Sequence, residues 1–189
     1  MITGYDFLRI VSLLGQQGQD DIAWSEACCA PTSADDFASE AIFVICNSGM
    51  KNTIAVKIFA KVIAAIRGGT SVFAVFGHPG KAKAIDDIWR RRDELLAQYL
   101  AAADKVAFCE TLPWIGGITK YHLAKNFGAD VAKPDVHLQR LADREGVTPQ
   151  RLCERLAQDS GYKIATVDVL LWRACADGVI NSRTGEING

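Results

Sequence analysis

The chain is expected to be all-α, and three observations say so. Apolar residues recur at three- and four-residue spacing along most of its length, helix start and stop residues punctuate those runs, and only Ser71 to Phe76 has the composition of a strand. One strand cannot make a sheet, so that segment is expected as a buried helix or an extended connector.

Tyr5 to Leu14 sets Phe7, Leu8, Val11 and Leu14 at helical spacing, and Asp20-Asp21 can cap a second helix through Trp24 to Cys29. Pro31-Thr32-Ser33 breaks and restarts the chain before an apolar helix from Ala34 to Asn47. Asn52 to Ile66 repeats Ile54, Ile58, Val62 and Ile66 and stops at Gly68-Gly69. Pro79-Gly80 suggests a turn, and from Lys81 to Ala103 a stripe of Ile85, Ile88, Leu95, Leu96, Tyr99 and Leu100 runs beside Arg90-Arg91-Arg92, a solvated face. Shorter helices follow over Val106 to Thr111, Ile118 to Phe127, Val136 to Glu145, Thr148 to Ser160 and Ile164 to Asp177, with Thr148-Pro149 a start signal and Gly178 a stop. The sum is about eight to ten short helices.

A chain of 189 residues, 49% apolar and 23% charged, suffices for one packed domain or two small lobes sharing a cleft, and we take residues 1–189 as a single compact unit. The net charge of −1 gives no global positive field, so any contact with nucleic acid must be local. Six cysteines without C-x-x-C spacing sit in apolar segments, which predicts buried, reduced thiols and no bound metal. No apolar run reaches the roughly 18 residues that span a bilayer, and Met1 to Leu14 lacks a basic lead and a cleavage site. A cytoplasmic monomer without a membrane partner is expected.

The chemistry concentrates in Leu112-Pro113-Trp114-Ile115-Gly116-Gly117-Ile118-Thr119-Lys120 and in Lys133-Pro134-Asp135-Val136-His137-Leu138. A tight glycine turn that opens a helix presents free N–H groups to a phosphate, and a carboxylate soon afterwards can act beside it. Helix, Leu-Pro-x-Ile-Gly turn and helix over about residues 105–127, joined to a loop at 128–138 ending in Pro-Asp-Val-His, resemble the helix-hairpin-helix (HhH-GPD) base-excision DNA glycosylases, nearest in wording to the 8-oxoguanine branch. Outside Leu112 to Leu138 the match is weaker, although Ile45-Cys46-Asn47-Ser48 resembles the helix end before that branch's DNA-wedging loop.

The resemblance implies a two-lobed helical bundle, its hairpin beside an interlobe cleft, that acts on double-stranded DNA carrying a damaged or modified base. It would be nucleoid-associated when bound to DNA. Gly116, Gly117 and Thr119 would hold a phosphate, reinforced by Lys120, and His137 would face another. Hairpin carbonyls would hold a monovalent cation; no other cofactor is implied, and no compact set of four cysteines provides for an iron-sulfur cluster.

Breaking the bond between sugar and base builds positive charge on the sugar, so a buried carboxylate there stabilises an oxocarbenium-like state and orients water. The resemblance makes Asp135 that group; it also stands where a cap for the helix from Val136 belongs, and both roles are compatible. Asn47 to Asn52, with Met50 and Lys51, would fill the gap left by a flipped base, unless Met50 is simply core. Asp168 and Trp172 would line the base pocket, unless they are a buried helix cap and a core residue; Trp24 and Trp89 raise the choice between stacking face and core.

Two departures bear on chemistry. Bifunctional members place a lysine two residues after the second hairpin glycine, where this chain has Ile118, so hydrolysis by water is expected; Lys120 lies about 200° around the helix from it. Trp114 stands where the first hairpin glycine usually sits, so either the turn is altered or the indole packs on the sugar-phosphate chain. The alternatives are a bifunctional glycosylase/lyase using Lys120, and a non-catalytic DNA-binding protein that keeps the hairpin as a phosphate clamp.

Overall fold

Helix α1 (Gly4–Ala27) opens on a capping box in which Thr3 Oγ1 accepts from the Asp6 amide and Asp6 Oδ2 accepts from the Thr3 amide. Its break falls at Gly15, with φ 56° and ψ −135°, a conformation open to glycine, rather than at Asp20-Asp21. Asp21 caps nothing there; its carboxylate is taken by Arg173, Oδ2 lying 2.8 Å from Nε.

The computed structural model describes residues 1–189, the side chain of Asn52 excepted. Among the described residues there are ten α-helices, one short 3-10 helix and no strand longer than a single bridge. None of the helices is long and apolar enough to cross a membrane. The chain divides into two compact units, Met1–Cys28 with Gly128–Gly189, and Cys29–Phe127.

The first unit packs α1 against α9 (Pro149–Ser160) and α10 (Ile164–Ala176), with α8 (Val136–Glu145) on those two, around Phe7, Ile10, Leu138, Leu141, Leu152, Leu156 and Leu170. Thr148 caps α9 through the Arg151 amide with Pro149 in the first turn, and Gly146 and Gly161 end α8 and α9 in the left-handed conformation. Beyond Gly178 the chain folds back on itself, with Ile180 bridged to Ile187.

The second unit holds α2 (Ala34–Asn47), α3 (Asn52–Arg67), the 3-10 helix (Val72–Ala74), α4 (Pro79–Arg90), α5 (Arg92–Ala101), α6 (Lys105–Thr111) and α7 (Thr119–Asn126). The Ser71–Phe76 segment is thus a single 3-10 turn, fixed by Asp86, which accepts from Ser71 Oγ at 2.8 Å and from the Val72 amide at 3.2 Å. Pro79 and Gly80 are the first residues of α4, since proline's fixed φ suits that position and His78 provides the cap. The run from Lys81 to Ala103 is two helices, broken at Arg91, whose φ of −102° and ψ of 12° leave the helical region. The arginine run is ion-paired: Arg90 with Asp87, Arg91 with Asp87 and Glu94, Arg92 with Asp35. Phe37 stacks on Phe127 at 5.1 Å, with Tyr99 beside both, which anchors the end of α7 to α2.

Candidate functional site

In the second unit the hairpin consists of α6, the turn Leu112–Ile118 and α7. Leu112 and Ile115 are buried and hold the turn from beneath, and the Ile115 amide donates to Leu112 O at 3.1 Å. Trp114 has a φ of 68°, the one non-glycine left-handed residue among those described, so the turn keeps the geometry that a glycine would ordinarily supply. The indole, 44% exposed, meets the His78 ring edge-on at 5.0 Å, and a Cβ on Gly80 would lie 2.5 Å from its Cζ3.

Thr119 Oγ1 accepts from the Gly116 amide at 2.8 Å, so that amide is occupied. The amides of Gly117, Ile118 and Thr119 have no acceptor among the described residues, and α7 has no side-chain cap. Three N–H groups therefore stand open at one helix N-terminus, the arrangement that takes an anion. Lys120 turns back to α6, its Nζ 2.5 Å from Glu110 Oε2, and that hydrogen bond raises its pKa above the ordinary lysine value. Among the described residues no cluster of His, Cys, Asp and Glu suits a metal ion; main-chain oxygens of the exposed turn are the donor type for a monovalent cation.

The segment after α2 bends at Gly49 (φ 69°) and is closed by the Met50 amide donating to Asn47 O at 3.1 Å. Asn47 and Met50 are half-buried and Lys51 is exposed; the side chain of Asn52 lies outside the described residues. Lys81, which carried no signal in the sequence, reaches this segment: its Nζ donates to Ser48 O at 2.6 Å.

In the first unit the loop before α8 is braced at successive points. Asp130 Oδ1 accepts from the Ala165 amide at 2.9 Å, Gln150 Oε1 from the Ala132 amide at 2.8 Å, and Asp168 Oδ1 from the Lys133 amide at 3.2 Å. Asp168, 1% exposed, lies within α10 and is not its cap; its carboxylate braces the loop instead. At the loop's end Asp135 caps α8, Oδ1 accepting from the amides of His137 at 2.9 Å and Leu138 at 3.1 Å. Its carboxylate is half-buried, and Oδ2 accepts no hydrogen bond among the described residues.

The Cys175 thiol is pushed up to about 12, first by burial and then by the Asp135 charge nearby. His137 Nδ1 lies 3.1 Å from the hydroxyl of the buried Ser182, in the C-terminal segment that no sequence signal marked. Trp172 is half-buried with the Arg173 guanidinium 5.2 Å over its ring, while Trp24 is largely exposed.

No protein-family model matches the sequence, and no curated protein matches it. Among solved structures the chain is similar to the Methanocaldococcus jannaschii 8-oxoguanine glycosylase/lyase in complex with a 15mer DNA containing 8-oxoguanine, with a TM-score of 0.64 and 16% identity over 97% of this chain and 99% of that one. The chain therefore has the all-helical fold of an HhH-GPD glycosylase.

Proposed function

We propose that this chain is a DNA glycosylase that flips a damaged base out of a duplex and hydrolyses its N-glycosidic bond, with Asp135 as the catalytic carboxylate. The observation that carries the reading is the division of labour within that carboxylate: Oδ1 is fixed by two main-chain amides and Oδ2 is left without a partner. A carboxylate held this way on a braced loop needs no reorganisation when positive charge builds on the sugar. Oδ2 then faces that charge and accepts a proton from the attacking water; the water oxygen bonds to C1′ as the C1′–N bond breaks, and the base leaves with its electrons and takes up a proton from solvent.

The open amides of Gly117, Ile118 and Thr119 hold a DNA phosphate, which positions the strand without reading sequence. A monovalent cation on carbonyl oxygens of the 112–116 turn would add positive charge beside that phosphate. Water is the nucleophile in this reading. Ile118 has no amine, and the Lys120 amine is held protonated by Glu110. Oxidised guanine is the first base to test, since the similar archaeal protein was crystallised with it.

The test is a panel of duplex oligonucleotides, each carrying one lesion, with abasic product and strand nick detected separately. Wild type is expected to leave abasic sites, and Asp135→Asn to lose base release by about 100-fold or more while still binding the duplex. Release by Asp135→Asn at the wild-type rate would remove the mechanism, and a nick formed with each released base would replace water by a lysine.

A further inference from the structure

Lys81 is 5% exposed, and its ammonium has exchanged water for the Ser48 carbonyl, 2.6 Å away; burial lowers its pKa and pushes the nearby Cys46 thiol up to about 11, so that thiol offers it no charge. Burying a cation against an uncharged acceptor is costly, and an apolar side chain of similar length would fill the space at less expense. Stability therefore does not account for a lysine here; its contact does. Ser48 is the first residue beyond α2 and leads directly into Gly49, Met50 and Lys51.

The neighbouring residues of the same helical turn face the hairpin. His78 Nδ1 accepts from the Lys81 amide at 3.3 Å, and the His78 ring meets Trp114 edge-on. Gly80 gives the indole its seat, since any Cβ there would lie 2.5 Å from Cζ3 and 3.0 Å from Cη2. One turn of α4 thus touches the residue that reverses the hairpin and the segment that follows α2.

We propose that the first turn of α4 is a spacer that fixes the Ser48–Lys51 segment relative to the hairpin, with Lys81 as its positioning residue and Gly80 as the seat of Trp114. The consequence for DNA is a set distance along the strand between the phosphate held at Gly117–Thr119 and the step entered by Met50. This rests on the glycosylase reading, in which that segment is the wedge.

The test uses the full chain and one probe, a tetrahydrofuran abasic-site analogue placed in a duplex and in the same strand alone, with binding read by fluorescence anisotropy. Only the duplex has a stack for the wedge to enter. Lys81→Met and Gly80→Ala are each expected to weaken duplex binding by about tenfold and single-strand binding less than about twofold, with Met50→Ala showing the same split. Lys81→Gln, which keeps a donor one bond short of the ammonium's place, is expected to bind the duplex more tightly than Lys81→Met, a partial rescue that a mere filler of space would not give.

If Met50→Ala shows the split and Lys81→Met and Gly80→Ala do not, the spacer is wrong and the wedge stands. If Met50→Ala shows none, the wedge reading falls and the spacer with it. A wild-type chain that does not prefer the abasic duplex overturns the glycosylase reading and this inference together. Should Lys81→Met fail to fold, Gly80→Ala carries the same comparison against Met50→Ala.

Discussion

Lys120 Nζ and Glu110 Oε2 stand 2.5 Å apart, an ion pair that joins the two helices of the hairpin. The same carboxylate borders the open amides, for a Cβ on Gly117 would lie 3.5 Å from Glu110 Oε1. Glu110 therefore both neutralises the one lysine of the turn's first helical residues and sets negative charge beside the anion seat. Glu110→Gln is expected to tighten binding of duplex DNA and to steepen its dependence on salt by about one phosphate equivalent, because Lys120 is freed to displace a counterion. Anisotropy titrations across a range of potassium chloride would show this. An unchanged salt slope would mean that Lys120 faces no phosphate.

Capping and chemistry at Asp135 can be separated by substitution. Asparagine caps about as well as aspartate, so Asp135→Asn should leave stability within about 0.5 kcal/mol of wild type, whereas Asp135→Ala should lose about 1 kcal/mol with the bonds to His137 and Leu138. Both should lack base release. Urea unfolding read by circular dichroism supplies the first comparison, and equal stability of the two variants would show that the cap contributes nothing.

The parts of this molecule that are legible in the sequence are those written in a few adjacent residues. The hairpin turn follows from Leu112, Ile115 and the glycine pair, and the helix from Val136 from the Asp135 cap; both signals act over one turn of chain. The two helices read from Tyr5 to Leu14 and from Asp20-Asp21 are one helix kinked at Gly15, because the polar run Gln16 to Asp21 carries no apolar spacing to show that the helix continues, and Asp21, which resembles a cap, is recruited by Arg173 from the far end of the chain. Lys81 and His78 show the same limit. Their partners Ser48 and Trp114 lie more than thirty residues away, and no local pattern announces a contact of that range.

The cysteines divide sharply in their chemistry, and no disulfide joins any of them among the described residues. Burial pushes Cys46 up to about 11 and Cys109 up to about 12, and burial with the Asp135 charge pushes Cys175 to about 12, while Cys29 is exposed. Because the thiolate is the reactive form, iodoacetamide at pH 8 is expected to label Cys29 first and to leave Cys46, Cys109 and Cys175 largely unmodified in the folded chain, as read by peptide mass spectrometry. Asp135→Asn removes a negative neighbour from Cys175 and should speed its labelling relative to Cys46. No change in that ratio would mean that the Asp135 charge does not reach the thiol.

Glu40 of α2 gives a pH dependence of definite sign. Burial raises its pKa above the ordinary glutamate value; the hydrogen bond from Asn126 Nδ2, 3.0 Å away, offsets part of this, and Asp36 adds to the rise. The folded chain then holds this proton more tightly than the unfolded chain does. The stability it contributes is complete below the ordinary glutamate range and is lost as pH rises through the folded value. Asn126 Oδ1 is buried and has no partner among the described residues, so a donor at position 40 would supply what the carboxylate cannot. Glu40→Gln is expected to stabilise the chain at pH 7 by about 1 kcal/mol and to flatten its stability between pH 4 and pH 7, measured by urea unfolding at intervals across that range. A variant less stable than wild type at pH 7, with the pH slope intact, would show that Glu40 is anionic and favourably paired in the fold.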